Sequence, residues 1–368
     1  MKKVVFFLVC IVCTFTLLQC YRIEIPNDDE IFTIKTWDYS KVAFIARITD
    51  NSAGWSLCTI DAAGNGMQKI VDKTVACQKS VRSHSGTQLL FTAVKFDYWV
   101  NEDNSFGSSS EYELCIVNTD GTELTLIDRT ENGYLGYDWS SDDTHIVYVR
   151  CSDPYRNNSD LILYNISDKT HTILQNEGNA SCPKFSPNGK QIAYCKSTGT
   201  GVNIYKMGIS GNNNQLIISN ASCPNWSPLG NKIAYLSSGT DKSSQIFVAN
   251  ADGSGQKQLT SSVSPRTWPG WPPDGNEDPQ WTLDGKKIVY VSWENERPEI
   301  FIMNADGSNK KRLTTAEFRD ECPEITPDGR HILFSSRKSS MNGICIMALD
   351  GSNQRVLSNV GYCPIACR

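Results

Sequence analysis

Residues 281–292 read WTLDGKKIVYVS, and residues 300–307 read IFIMNADG. Both stretches are short apolar runs next to an Asp-Gly pair. This pattern predicts β-strands joined by tight hairpins, because Gly and Asp tolerate the backbone angles that such turns require. No window after the N-terminal segment has the 3.6-residue apolar period of an amphipathic helix. The stretch therefore predicts one small all-β unit.

This unit recurs along the chain at a spacing of about 40–45 residues, which is typical of the blades of a β-propeller. The residues that anchor the first strand of the seven copies are Trp37, Arg82, Trp139, Phe185, Trp226, Trp281 and Ile325. The matching aromatic residues of the second strand are Phe44, Phe91, Tyr148, Tyr194, Tyr235, Tyr290 and Phe334. We predict an all-β propeller of seven blades with four antiparallel strands each, with six or eight blades as the alternatives. The two termini should close the ring, with residues near 22–34 and 354–365 completing shared blades.

Four copies carry a longer motif. The segments from Pro183 to Tyr194, Pro224 to Tyr235, Pro279 to Tyr290 and Pro323 to Phe334 resemble the TolB-type motif Pro-x-Trp-Ser-Pro-Asp-Gly-x-x-Ile-x-(Phe/Tyr). The resemblance covers about residues 31–360. It implies a propeller and suggests an envelope-assembly partner, although one scaffold hosts many activities. About ten residues separate the N-terminal segment from the first strand, so the α/β domain that precedes the TolB propeller is not expected.

The N-terminus has the features of an export signal. Lys2 and Lys3 precede an apolar run from Val4 to Leu18, which is shorter than the ~20 residues of a membrane span. Leu17-Leu18-Gln19-Cys20 resembles a bacterial lipobox with Cys20 as the lipid anchor, although Gln19 replaces the usual small residue. The alternatives are plain secretion and an uncleaved anchor. We expect a signal at 1–20, a linker at 21–30 and one propeller at 31–368, in a periplasmic or envelope-associated protein.

The charge distribution argues against a nucleic-acid partner. The chain has 368 residues, a net charge of −5 and a pI near 5.5. Nucleic-acid binding usually requires a basic patch or stripe, which this sequence lacks.

The cysteines fall into two groups. Cys58, Cys115 and Cys345 align with aromatic positions such as Phe247, and a reduced Cys behaves as a small apolar residue. We predict that these three lie in the core, and that most of the cysteines are reduced. Cys151 and Cys195, at the ends of second strands, are interpreted in the same way.

The second group is a repeated Cys-Pro pair that begins at Cys182, Cys223, Cys322 and Cys363, with Asp278 at the same position of the sixth copy. Pro at the start of an innermost strand places the preceding residue at the mouth of the channel. Packing, a disulfide and a soft metal are the three interpretations. The long sequence separations argue against zinc, and neighbouring blades should hold these positions beyond the ~5.5 Å Cα separation of a disulfide. No metal or cofactor is predicted, and any disulfide should join Cys322 or Cys223 to Cys363 or Cys367.

Three long connections lie on the same face as this mouth: Tyr98 to Tyr112, Cys151 to Asp160 and Val263 to Asp278. Long loops on one side of a rigid ring are where such scaffolds bind. Trp99, Trp268 and Trp271 are the candidate contact residues, together with Asp278 and the three Cys-Pro thiols Cys182, Cys223 and Cys322. The alternative is that Trp268 and Trp271 pack onto the ring as a plug.

No catalytic residue is predicted. The four histidines, His84, His145, His171 and His331, are scattered, and the sequence has no Gly-x-Ser-x-Gly nucleophile motif. Acidic pairs such as Glu277/Asp278 or Glu294/Glu296 are candidates for glycoside chemistry, although acid-rich loops are common. We therefore expect a non-enzymatic scaffold for a protein or peptide. The alternative is a propeller that binds or cleaves carbohydrate through residues 263–278.

Overall fold

A computed structural model describes residues 41–46, 55–71, 75, 80–100, 106–153, 158–176, 178–239, 243–262, 275–315, 317–338 and 341–367. Within these ranges all regular structure is β-strand, arranged in seven antiparallel sheets of four strands. The predicted seven-bladed propeller is confirmed. The proposed boundaries at residues 20 and 30, and Cys20 itself, lie outside the described residues.

The strands are β1 (Lys41–Ala46), β2 (Ser56–Asp61), β3 (Gln68–Lys69), β4 (Val81–Arg82), β5 (Gln88–Val100), β6 (Phe106–Asn118), β7 (Thr125–Thr130), β8 (Tyr134–Trp139), β9 (His145–Cys151), β10 (Ser159–Asn165), β11 (Thr170–Gln175), β12 (Ala180–Phe185), β13 (Gln191–Thr198), β14 (Gly201–Gly208), β15 (Gln215–Ile218), β16 (Ala221–Trp226), β17 (Lys232–Ser238), β18 (Ser244–Asn250), β19 (Lys257–Gln258), β20 (Asn276–Trp281), β21 (Lys287–Ser292), β22 (Glu299–Asn304), β23 (Lys311–Arg312), β24 (Arg319–Ile325), β25 (His331–Lys338), β26 (Met341–Ala348), β27 (Arg355–Ser358) and β28 (Tyr362–Cys367). Blades 2 to 7 each use four consecutive strands, from β4–β7 to β24–β27, whereas blade 1 has the order β28-β1-β2-β3. We call the strands of a blade A to D from the innermost outward.

The A strands form a closed ring. Each A strand contacts the A strands of both neighbouring blades, all the way from β4 through β24 to β28 and back to β4. The blades therefore converge at their first strands, which surround the axis of the propeller.

Blade 1 is completed from the C-terminal end. Strand β28 pairs with β1 from Lys41↔Cys367 to Ile45↔Tyr362 and supplies the A strand. The prediction that Trp37 anchors this strand is therefore wrong, because Ala366 lies opposite Val42 at the anchor position. The repeated Cys-Pro at the tail was the better guide to this strand. Ring closure by residues 354–365 is confirmed, whereas residues 22–34 and Trp37 lie outside the described residues.

Each blade has a buried aromatic residue at its centre. The seven predicted residues of the B strands, from Phe44 to Phe334, are all at most 1% exposed. In blades 1, 2 and 7 the residue opposite this aromatic on the C strand is Cys58, Cys115 or Cys345, where blade 5 has Phe247. These three cysteines are buried, as predicted, and so are Cys151 and Cys195.

Indole hydrogen bonds join neighbouring blades. Trp139 Nε1 donates to the carbonyl of Val81 in the preceding blade at 3.2 Å. Trp226 and Trp281 make the same bond to the preceding A strand, at 3.2 and 3.1 Å. The spacing of the repeat thus positions each of these indoles to satisfy a backbone acceptor on the preceding blade, which couples adjacent sheets.

Side chains close the A–B and C–D turns. In blade 6, Thr282 Oγ1 donates to Asp284 and also accepts the amide N–H of Lys287. In the next turn, Asp306 accepts bonds from the amide and the hydroxyl of Ser308. These bonds lower the pKa of both carboxyls. The A–B and C–D turns are thus short and closed by side-chain hydrogen bonds. The B–C and D–A connections lie at the opposite ends of the strands, and we call that side of the ring the B–C face.

Candidate functional site

One A-strand position has the same unusual backbone in six blades. The residues are Gly136, Cys182, Cys223, Asp278, Cys322 and Cys363, and we call this set the channel ring. Their φ angles are 115° for Gly136 and 48–54° for the others. Each lies at a β-bulge, where the pairing with strand B shifts register. A bulge bends its strand and re-aims a side chain. The Cys-Pro repeat therefore marks a backbone feature that Asp278-Pro279 shares.

Neighbouring members of the channel ring are close together. A Cβ on Gly136 would lie 3.3 Å from Cys182 Cα, so the small residue in blade 3 makes room for blade 4. The Sγ atoms of Cys182 and Cys223 are 4.0 Å apart. Those of Cys322 and Cys363 are 2.9 Å apart. The thiols of adjacent blades therefore approach each other, because the A strands converge at the axis.

The Cys182–Cys223 pair has a third member that the sequence analysis assigned only to packing. Cys195 Sγ, on the B strand of blade 4, accepts the amide N–H of Cys223 at 3.2 Å. The hydrogen bond with Cys182, followed by burial, raises the pKa of both the Cys195 and the Cys223 thiols. These groups stay protonated at neutral pH. Within the described ranges, no three His, Cys, Asp or Glu side chains form a set that could hold a metal ion.

The channel mouth is acidic at blades 6 and 7. Strands β20 and β24 carry five carboxyl residues against one guanidinium, that of Arg319. The five are Glu277, Asp278, Asp320, Glu321 and Glu324. Asp278 is exposed on the channel ring, and Glu277, Glu321 and Glu324 are half-buried. Asp278, Glu277, Glu321 and Glu324 form what we call the acidic sector, which carries a net negative charge even with Arg319 beside it.

Arg319 and its neighbours organise the acidic sector. The guanidinium pairs with Glu321 at 3.2 Å and lies over the ring of Trp293 at 4.8 Å. The Tyr362 hydroxyl donates to the other oxygen of Glu321 at 2.9 Å. Trp293 is only 8% exposed, so its indole is a support beneath Arg319 and offers no open face for stacking.

A buried carboxyl lies just behind this sector. Asp320 is 1% exposed and accepts a hydrogen bond from the Ser336 hydroxyl at 2.6 Å. Burial raises its pKa to about 6. Its counterpart in blade 6 is Asn276, a neutral residue that is fully buried. The position that Asp320 occupies in blade 7 thus holds a neutral amide side chain in blade 6.

We expect Asp320→Asn to stabilise the protein at pH 7.5 by on the order of 3 kcal/mol. Between pH 4 and 6 the unfolded chain loses the Asp320 proton while the folded protein keeps it, so wild-type stability falls as the pH rises through this window. The gain should therefore vanish near pH 3.5. Urea unfolding at both pH values measures it.

The reciprocal change is the matched control for this prediction. Asn276 Nδ2 donates to Gln245 Oε1 and to the carbonyl of Ser262, at 2.9 and 3.0 Å. Asn276→Asp would set a carboxylate against both acceptors and should destabilise the protein at pH 7.5. Equal or lower stability of Asp320→Asn at pH 7.5 would contradict the burial argument.

The predicted loop from Tyr98 to Tyr112 is instead a β-hairpin. Strands β5 and β6 each span 13 residues and pair continuously to Val100↔Phe106, with Trp99 opposite Gly107. Strand β7 follows β6 only as far as Tyr112↔Thr130. The paired segments 95–100 and 106–111 therefore extend beyond the blade on the B–C face, and we call these two segments the hairpin arm. Its Phe96 is 43% exposed.

The other predicted contacts have mixed outcomes. The structure places Asp278, Cys182, Cys223 and Cys322 at the same bulge position of their A strands, on the channel ring, and their role as contacts remains a prediction. Trp268 and Trp271 lie outside the described residues, so their role as contacts or as a plug remains a prediction. The connection between Cys151 and Ser159 is irregular where it is described.

The histidines are apart from this mouth. His84 lies in an A–B turn, and His145 and His331 begin B strands on the same side. His171 lies in the outer strand β11, with Nδ1 3.0 Å from the Tyr148 hydroxyl. No helix with the length and apolar character of a membrane span occurs in the described part of the chain.

Comparison with known proteins points to one propeller family. A family model described as the TolB beta propeller domain matches residues 90–276 and 217–363. The Tol-Pal system protein TolB of Francisella tularensis subsp. mediasiatica is 33% identical over 189 residues, or 49% of this chain. The match spans only 40% of that relative's length.

Solved structures show likeness of fold alone. TolB from Acinetobacter baumannii has a TM-score of 0.54 at 18% identity and covers 88% of this chain and 81% of its own. An oligogalacturonate lyase in complex with manganese has a TM-score of 0.57 at 12% identity and covers 87% and 86%. A TolB protein and a lyase thus share this architecture with the chain.

Proposed function

Since this chain belongs to the TolB β-propeller domain family, we propose that it is an exported, non-enzymatic scaffold that binds a protein or peptide partner at the cell envelope. The partner binds the B–C face, over the acidic sector and beside the hairpin arm. The observation that carries the proposal is the difference between the two faces of the ring. One face has short, uniform turns closed by hydrogen bonds, whereas the channel ring, the acidic sector and the hairpin arm lie toward the other.

The acidic sector favours a partner segment that is basic. Asp278 is exposed at the mouth, with Glu277 beside it and Glu321 and Glu324 on the next A strand. Like charges across an interface are costly, and complementary ones speed and orient association. A lysine- or arginine-rich peptide fits this sector, whereas an acidic oligosaccharide would be repelled.

Envelope location is part of the same proposal. The curated relative's name assigns it to a Tol-Pal system. The apolar run from Val4 to Leu18 and the lipobox-like Leu17 to Cys20 support export and a lipid on Cys20. The mass of the mature protein recovered from membranes tests this.

Capture of a partner from an envelope fraction tests the binding face. The partner recovered with wild type is identified and quantified by mass spectrometry. We expect deletion of residues 268–273, or the pair Glu277→Gln and Asp278→Asn, to lower its recovery at least about tenfold. Asn at position 278 tolerates the positive φ, so only the charge changes.

A charge change on the opposite face is the control. Asp168 is exposed in the C–D turn of blade 3, and Asp168→Asn should leave recovery unchanged. Equal capture by all variants would contradict the proposed face. If the 268–273 deletion instead abolishes binding to a glycan array, the carbohydrate alternative replaces the scaffold.

A further inference from the structure

Two thiols meet where the ring closes. Cys322 lies on β24, the A strand of blade 7, and Cys363 lies on β28, which closes blade 1. Their Sγ atoms are 2.9 Å apart. Both residues lie on channel-ring bulges, with φ of 54° and 49°. The same backbone feature therefore aims both side chains at the junction between the first and last blades.

Hydrogen bonds on both sides hold this junction together. The Cys363 amide donates to Ser335 Oγ in blade 7 at 2.8 Å. The Tyr362 hydroxyl donates to Glu321 at 2.9 Å. Cys363 is 7% exposed and belongs to the core cluster that also contains Ile365, and half-buried Cys322 packs against that cluster. The two thiols are thus held in register by their neighbours.

We propose that Cys322 and Cys363 form an interblade disulfide that locks the C-terminal strand into the ring. The pair closes a loop across the whole of blade 7, since the residues are 41 apart in sequence. Cross-linking such a loop restricts the unfolded chain and prevents β28 from leaving blade 1 while blade 7 is folded.

The oxidant is a protein or small-molecule disulfide. The thiolate of Cys322, the more exposed of the two, attacks one sulfur of the oxidant and releases the first thiol. The Cys363 thiolate then attacks Cys322 Sγ in the mixed disulfide and releases the second thiol. The protein loses two hydrogens and the oxidant gains them as two thiols, so the exchange is balanced.

The second thiol cluster has the opposite character. Cys182 and Cys223 are also 41 residues apart on neighbouring A strands, but their Sγ atoms are 4.0 Å apart. Cys195 Sγ accepts a hydrogen bond from the Cys223 amide. The raised pKa of the Cys195 and Cys223 thiols lowers the fraction of thiolate, which is the form that reacts in thiol–disulfide exchange. This cluster should stay reduced under conditions that oxidise Cys322 and Cys363.

Peptide mapping after alkylation tests the bond. The full chain is purified without reductant, equilibrated with oxidised glutathione, alkylated after denaturation and digested. We expect a peptide pair joined through Cys322 and Cys363, and alkylated Cys182, Cys195 and Cys223. Alkylation of both Cys322 and Cys363 in most of the protein would overturn the proposal.

Hydrogen exchange tests the lock. Reduction of wild type with dithiothreitol should speed exchange in β28 on the order of tenfold or more and leave β16 unchanged. Cys322→Ser should show the fast rate without reductant, and Cys182→Ser should behave as wild type. Because reduction needs no substitution, a misfolded variant does not obscure the result. If the Cys322–Cys363 peptide pair is found but reduction does not change the hydrogen exchange of β28, the disulfide does not lock this strand and that part of the proposal is overturned.

Discussion

Deletion of residues 362–368 is expected to open the propeller ring and to unfold most of the protein at 37 °C. The deletion removes β28, whose Tyr362, Cys363 and Ile365 are at most 8% exposed. Burial of such side chains contributes ~1.5–3 kcal/mol each. The loss is on the order of 5 kcal/mol, against a typical total stability of about 5–15 kcal/mol.

The deletion also uncovers its neighbours. Strand β1 loses its only A-strand partner, and Ala43 and Ile45, now fully buried, face water. The exposed edge of β1 is a template for intermolecular pairing, so aggregation should accompany unfolding.

Circular dichroism melts and size-exclusion chromatography measure this effect. Deletion of Arg368 alone leaves β28 intact and is the matched control. If the melting temperature of the truncated protein lies within about 2 °C of the wild-type value, β28 does not close the ring.

Trp139→Ala should destabilise the protein by about 3–5 kcal/mol. Trp139 is 1% exposed and packs in the core between blades 2 and 3. Its indole also satisfies the Val81 carbonyl of the preceding blade. The substitution therefore leaves a large cavity and removes a contact that joins two blades.

Trp139→Phe separates the two causes. Phe185 occupies the same position of blade 4, so an aromatic ring without the N–H is accepted there. We expect a smaller loss of about 1–2 kcal/mol from the missing hydrogen bond and the smaller ring. Urea unfolding gives both values. Equal losses for Ala and Phe would mean that the hydrogen bond, and not the cavity, dominates.

The sequence was sufficient for the blades and for the C-terminal side of their closure, but not for the anchor residue of blade 1. The B-strand aromatics and the Asp-Gly turns are local signals, and all seven sheets follow from them. The A strand of blade 1 depends on which end of the chain pairs with β1, which is a contact between residues far apart in sequence. The tail copy of the repeat, Cys363-Pro364, pointed to β28, whereas Trp37 did not.

The candidate site was less predictable for two physical reasons. The hairpin arm contains Gly107 and Ser108 to Ser110, which are common in loops, yet their backbone pairs with Phe96 to Trp99. The closeness of the thiols depends on how tightly the A strands converge, a property of the closed ring. The burial of Trp293 beneath Arg319 is likewise a tertiary contact.

Hydrogen exchange of the protein with and without its captured partner tests the central claim, that the B–C face is the binding surface. We predict slower exchange in the A-strand segments 276–281 and 319–325 and in the hairpin arm, with no change in the turns at 282–287 and 304–308. Protection confined to those turns, on the opposite face, would contradict the account.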